Sequence, residues 1–147
     1  MYQRILIPID GSSTSHLALR HAIRLAKEQQ ARLRIVYVVD EVNLTLETEY
    51  AMTEFMEAVR KTGRDILTKA EATVRDSGIK AEAELLEIET LGHHIADVII
   101  DEAKRWPADL VVIGTHGRRG ISRLFLGSVA EKVLRIATTP VLLIRGE

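Results

Sequence analysis

Between Asp109 and Ile144 the chain runs apolar, glycine-rich, amphipathic and apolar again, an order that restricts the fold more than any other part of the sequence. Leu110-Val111-Val112-Ile113 is a short uninterrupted apolar run, as a parallel strand buried on both faces requires. Gly114 stops it, Gly117 follows after two residues, and Gly127-Ser128 follow after nine more. Val129-Ala130-Glu131-Lys132-Val133-Leu134 then has the spacing of an amphipathic helix. Backbone amides of a glycine-containing loop, continued by the free amides of a helix start, form a site for an anion such as a phosphate. Arg118, Arg119 and Arg123 lie inside the same loop. Each residue also has a purely structural reading. Gly114 can simply leave a strand, Gly127 can supply permissive dihedrals before a helix, and Ser128 with Glu131 matches a capping box. The arginines can be a solvated loop face. The joint spacing favours the phosphate reading.

The rest of the chain supplies matching elements. Residues 3–10 read as an apolar strand ending in Pro8 and Asp10, and Ser12 to Ser15 offer N-caps for a helix with Leu17, Leu19, Ala22, Ile23, Leu25 and Ala26 on its buried stripe. Leu33–Val39 is a β-branched strand, and residues 42–49 show no clear period. From Tyr50 to about Ser77-Gly78 the apolar residues recur at steps of three and four, with one gap around Gly63. Lys80–Ile88 alternates, which predicts a strand with a wet face or an edge position. Gly92–Arg105 predicts a helix that Trp106-Pro107 ends. Strands alternating with helices over 1–147 predict one domain, an α/β fold with a parallel sheet covered on both faces. Pro8–Ser12 and Gly114–Gly117 both follow strands, so both are expected at the carboxyl ends, facing one crevice.

The spacing Gly114, Gly117, Gly127-Ser128 resembles the ATP-binding signature of the universal stress protein family. Arg4-Ile5-Leu6-Ile7-Pro8-Ile9-Asp10-Gly11-Ser12 looks like that family's first strand and acidic turn, Ala108–Gly117 like its fourth strand, and Thr139–Ile144 like its last. The resemblance implies a five-stranded parallel sheet of order 3-2-1-4-5, adenine nucleotide alpha hydrolase-like, with strands 1 and 4 adjacent at the switch point. It implies ATP as ligand, with Mg2+ expected beside it, and a nucleotide-responsive regulatory role exercised as a homodimer. The binding set it implies is Pro8, Asp10, Val38, Gly114, Thr115, His116, Gly117, Arg118, Arg119, Gly120, Gly127, Ser128 and Val129. Within it Asp10 contacts the adenosine part and Val38 offers backbone groups to the adenine edge. Arg118, nearest the first glycines, is the candidate γ-phosphate contact. The fifth strand would be a sheet edge, and apolar Val141–Ile144 there is the expected dimer contact.

Composition narrows the alternatives. With 20 basic and 21 acidic side chains the net charge is −1, so no basic field points to nucleic acid. The absence of cysteine removes disulfides and thiolate chemistry and leaves a reducing cytoplasm as the expected compartment. No signal pattern or apolar run suggests membrane insertion. His93 and His94 are adjacent and would not both face one metal, even with Asp97 nearby, so no metal site is expected. No nucleophile, base and orienting group assemble into a catalytic set, and any ATP hydrolysis is expected to be slow. Three rivals remain for comparison. A member of the same family without nucleotide binding would lack the glycine signature. An ATP pyrophosphatase or nucleotidyl transferase of a related fold would carry a Ser-Gly-Gly loop, to which Ile9-Asp10-Gly11-Ser12-Ser13 is only a partial match. A P-loop hydrolase needs Gly-Lys-Ser/Thr, which does not occur here.

Overall fold

The structure, a computed structural model, describes residues 1–40, 49–115 and 126–146. Its elements in chain order are β1 (Arg4–Pro8), α1 (Ser13–Gln29), β2 (Arg32–Val39), α2 (Glu49–Asp76), β3 (Ala81–Glu87), α3 (Ile95–Arg105), β4 (Leu110–Gly114), α4 (Ser128–Ile136) and β5 (Val141–Ile144). All neighbouring strands pair in parallel, giving one sheet in the order β3-β2-β1-β4-β5. The expected order 3-2-1-4-5 is therefore the observed one, with β3 and β5 at the edges.

Alternation along each strand divides the apolar residues between two cores. Ile5, Ile7, Leu33, Ile35, Tyr37, Val39, Leu110 and Val112 point to the face covered by α1 and α2, through Ala18, Leu19, Ala22, Met56, Leu67 and Val74. Leu6, Val36, Val38, Val111 and Ile113 point to the other face, against Ala96, Ile99 and Ile100 of α3 and Ala130 and Val133 of α4. Two buried faces explain why β1 and β4 read as continuous apolar runs, whereas edge strand β3 alternates.

At the Gly63 gap α2 lies directly against the sheet. A Cβ there would stand 2.7 Å from Tyr37 Cδ1 and 2.8 Å from Leu85 Cδ1, so only a hydrogen fits between helix and strands. Helix α3 begins at Ile95 rather than Gly92, because Gly92 adopts φ +86° and His94 is the N-cap. At its far end Trp106 N–H still donates to Glu102 O at 2.9 Å before Pro107 stops the helix.

A buried charge on α3 was not legible from the apolar pattern. Glu102 is 3% exposed and accepts from Arg34 Nε at 2.7 Å and Arg105 Nε at 2.8 Å. Arg34 also donates to Glu82 at 2.7 Å, and its guanidinium lies 5.8 Å from the Trp106 ring centroid. This network joins β2, β3 and α3 where β2 begins, at the end of the sheet away from Pro8 and Gly114.

Candidate functional site

The crevice at the carboxyl ends of the strands starts from Pro8. In β1 the amide of Ile9 donates to Val36 O of β2 at 2.8 Å, so the nitrogen of residue 8 faces β4 instead. The β1–β4 ladder pairs Ile5 with Leu110 and Leu6 with Val111 and ends there. Its next rung would need an amide hydrogen on residue 8, directed at Val112 O, and proline has none. The two central strands are thus released from each other after Leu6 and Val111, two residues before β1 ends at Pro8 and three before β4 ends at Gly114. The β1–β2 ladder, by contrast, continues through Pro8↔Val36.

Beyond β1 the chain turns on Asp10. Its Oδ1 accepts from Ser12 N–H at 2.8 Å, closing an Asx turn over Gly11, which holds φ +84°. Ser12 then caps α1 by accepting from Ser15 N–H at 3.2 Å. Oδ1 is committed to this turn, and Oδ2 carries no hydrogen bond among the described residues. The turn thus uses one oxygen of the Asp10 carboxylate and leaves the other without a hydrogen bond among the described residues.

Val38 lies two residues beyond Val36, whose carbonyl takes the last rung from β1. Backbone groups two residues apart point to the same side of a strand, so those of Val38 face the crevice past the end of β1. Its side chain is buried between sheet and α3, in the second core.

On the other side of the crevice, Gly114 ends β4 against the first turn of α1. A Cβ at Gly114 would lie 2.7 Å from Thr14 Cγ2 and 3.1 Å from the Thr14 carbonyl carbon and oxygen. Its immediate role is close packing, and the contact residue, Thr14, had no signal in the sequence. Thr115 follows, 8% exposed, with its N–H donating to Ile144 O at 2.9 Å. The Thr115 Oγ1 is buried and has no hydrogen-bond partner among the described residues.

The start of α4 departs from three readings its sequence allows. Gly127 is the N-cap with φ −63° and ψ 151°, an extended conformation open to any residue, so it does not use left-handed freedom. Its N–H is not a free anion donor, because it donates to Thr115 O at 2.6 Å and closes the ends of the loop onto each other. Ser128 is consequently the first helical residue, and the capping box with Glu131 is not formed; Glu131 N–H donates to Gly127 O at 2.9 Å. The amides left without an acceptor among the described residues are those of Ser128, Val129 and Ala130. Ala130 was not among the expected binding residues. Its amide is nevertheless one of the three without an acceptor, because a helix leaves the donors of its first turn without intrahelical partners.

His116, Gly117, Arg118, Arg119, Gly120 and Arg123 lie outside the described residues. Pro8, Asp10, Val38, Gly114, Thr115, Gly127, Ser128 and Val129 all fall at the carboxyl-end rim of the sheet. His93 and His94 do not form a metal cluster among the described residues. Asp97 instead accepts from His94 N–H at 2.7 Å and from Lys132 Nζ at 2.9 Å, both through Oδ2. The ammonium of Lys132, and secondarily the His94 amide, hold the Asp97 carboxyl below its ordinary range.

A family model, that of the universal stress protein family, matches residues 1–145. Universal stress protein MJ0531 of Methanocaldococcus jannaschii is 37% identical over 148 residues, covering 99% of this chain and 83% of the relative. The crystal structure of a protein from the universal stress protein family of Burkholderia pseudomallei superposes with a TM-score of 0.81 at 35% identity, covering 99% of this chain and 97% of the other. A universal stress protein of Archaeoglobus fulgidus, solved in complex with dAMP, shares the fold at a TM-score of 0.66 and 24% identity, covering 98% of each chain.

Proposed function

Because this chain belongs to the universal stress protein family, we propose that its crevice binds ATP and that the domain serves as a nucleotide-responsive regulator. One observation carries the reading. The amides of Ser128, Val129 and Ala130 and the buried Thr115 Oγ1 are without partners among the described residues, and the bond from Gly127 N–H to Thr115 O joins the two segments that carry them at the end of β4. Unpaired donors at a helix start favour a negatively charged oxygen, electrostatically and by hydrogen bonding. The dAMP complex of the Archaeoglobus relative supports an adenine nucleotide as the source of that oxygen.

The remaining residues fit the rest of such a ligand. Oδ2 of Asp10, which has no hydrogen bond among the described residues, suits ribose hydroxyls, and the crevice-facing backbone of Val38 suits the hydrogen-bonding edge of adenine, which needs one donor and one acceptor on a fixed line. Phosphates would lie toward α4, with Arg118 and Arg119 of the loop as their cationic partners. Mg2+ would enter with the phosphates, as is usual for an ion that keeps most of its water and takes few protein ligands. The domain acts as a homodimer through edge strand β5, whose Leu142 is exposed. A Leu142→Lys variant is therefore expected to elute as monomer in light scattering, and a wild-type monomer at high micromolar concentration would defeat the dimer.

Isothermal titration with ATP and Mg2+ tests the central claim. A dissociation constant of micromolar order, about −8 kcal/mol, is expected. No heat and no thermal shift at millimolar ATP would overturn it. Turnover of bound ATP is expected to fall far below the enzyme median of about 10 per second, since Asp10 has one oxygen fixed by Ser12 N–H and the other assigned to the ribose.

A further inference from the structure

We propose that Lys132 and Asp97 are positioning residues for the phosphate end of the nucleotide site, locking the start of α4 to the start of α3. The inference rests on the nucleotide reading above and names the device that sets one half of the site.

Helix α4 has only nine residues, Ser128–Ile136, too short to be stable or fixed in orientation by its own hydrogen bonds. At its first turn, Gly127 N–H donating to Thr115 O holds the N-cap to β4. Ala130 and Val133 bury the helix against the sheet and α3, but apolar contact is non-directional and leaves rotation about the axis weakly specified. Lys132 supplies the direction. It lies four residues after Ser128, so the two share a face of the helix, and its Nζ meets Asp97 Oδ2 at 2.9 Å. Asp97 is itself immobilised, because the same oxygen accepts His94 N–H at 2.7 Å in the first turn of α3. The pair is 26% and 23% exposed, sheltered enough that the geometry is specified rather than one of many solvated ones.

Charge gives the arrangement a second consequence. An unpaired Asp97 would place a negative charge close to the helix start where phosphates are to bind. Lys132 neutralises it at contact distance and leaves the donors of Ser128 and Val129 facing an anion without a competing carboxylate. The adenosine end, built from Asp10 in the turn after β1 and Val38 on β2, shares none of the hydrogen bonds or the ion pair of Asp97 and Lys132 among the described residues. Loss of the pair should therefore act on the phosphates and leave adenosine alone.

The test measures ATP and adenosine as competitors of a fluorescent ATP analogue on wild type, Lys132→Gln, Asp97→Asn, the double variant and Lys132→Arg. Each single variant is expected to weaken ATP at least about threefold, with adenosine unchanged and the double variant no weaker than either single one. Lys132→Arg, which keeps a charged donor, should retain wild-type ATP affinity. Parallel losses for ATP and adenosine would reduce the pair to general stability and overturn the proposal. Unchanged ATP affinity, or additive effects in the double variant, would overturn it equally. Wild-type protein that binds no ATP would instead defeat the nucleotide reading itself, a distinct result, and would take this inference with it.

Discussion

Gly114 and Thr14 touch so closely that the end of β4 and the first turn of α1 are spaced by a hydrogen atom: a Cβ on Gly114 would sit 2.7 Å from Thr14 Cγ2. The consequence is that this glycine holds the site together by packing, whatever else its backbone does. Gly114→Ala is expected to cost about 1–3 kcal/mol in urea denaturation, the usual range for forced overpacking. Thr14→Ser in the same background removes the methyl group and should recover part of that loss, though the 3.1 Å approach to the Thr14 carbonyl remains. A Gly114→Ala protein as stable as wild type would show that the helix start yields freely.

Pro8 opens the sheet by lacking a donor toward Val112. Pro8→Ala restores that donor and should extend the β1–β4 ladder by one rung. The amide of residue 8 should then be protected in hydrogen exchange, and ATP affinity should fall as the crevice narrows. An unprotected amide with unchanged affinity would mean that something other than the missing hydrogen parts the strands.

Gly63 offers a test in which two effects oppose each other. On an exposed helix surface Gly→Ala stabilises by about 1 kcal/mol. Here the new methyl would stand 2.7 Å from Tyr37 and 2.8 Å from Leu85, at the middle of the helix–sheet contact. Overpacking of about 1–3 kcal/mol should win, so Gly63→Ala is expected to lower the melting temperature. A rise would show that α2 can lift away from the sheet at no cost.

The Asp97–Lys132 pair has a defined pH signature. The folded carboxyl titrates below its unfolded value of about 3.9, so at pH values between the two the unfolded chain holds more protons. The stabilisation is then complete at neutral pH and is lost as pH falls through the depressed folded value. Thermal denaturation of wild type and Asp97→Asn should differ most near neutrality, and the gap should narrow below about pH 4. A gap that stays constant or widens in acid would assign the difference to packing rather than charge.

Much of this molecule was written in its sequence because local chemistry decided it. Continuous apolar runs at Ile5–Ile7 and Leu110–Ile113 require two covered faces, which alternating strands and helices supply. The alternation of β3 marked an edge because one of its faces meets less protein. Pro8 and Asp10 stood at a strand end in the sequence and do so in the fold. Contacts between distant segments were decided only by tertiary structure. Gly114 finds Thr14, Gly63 finds Tyr37, Asp97 finds Lys132 and Glu102 finds Arg34, pairs between 26 and 100 residues apart that no local periodicity encodes. The same holds for the corrected details. Gly127 is extended, with its amide taken by Thr115, because closure of the loop onto β4 sets its conformation, and a glycine's own freedom does not reveal which of its conformations the surrounding chain selects.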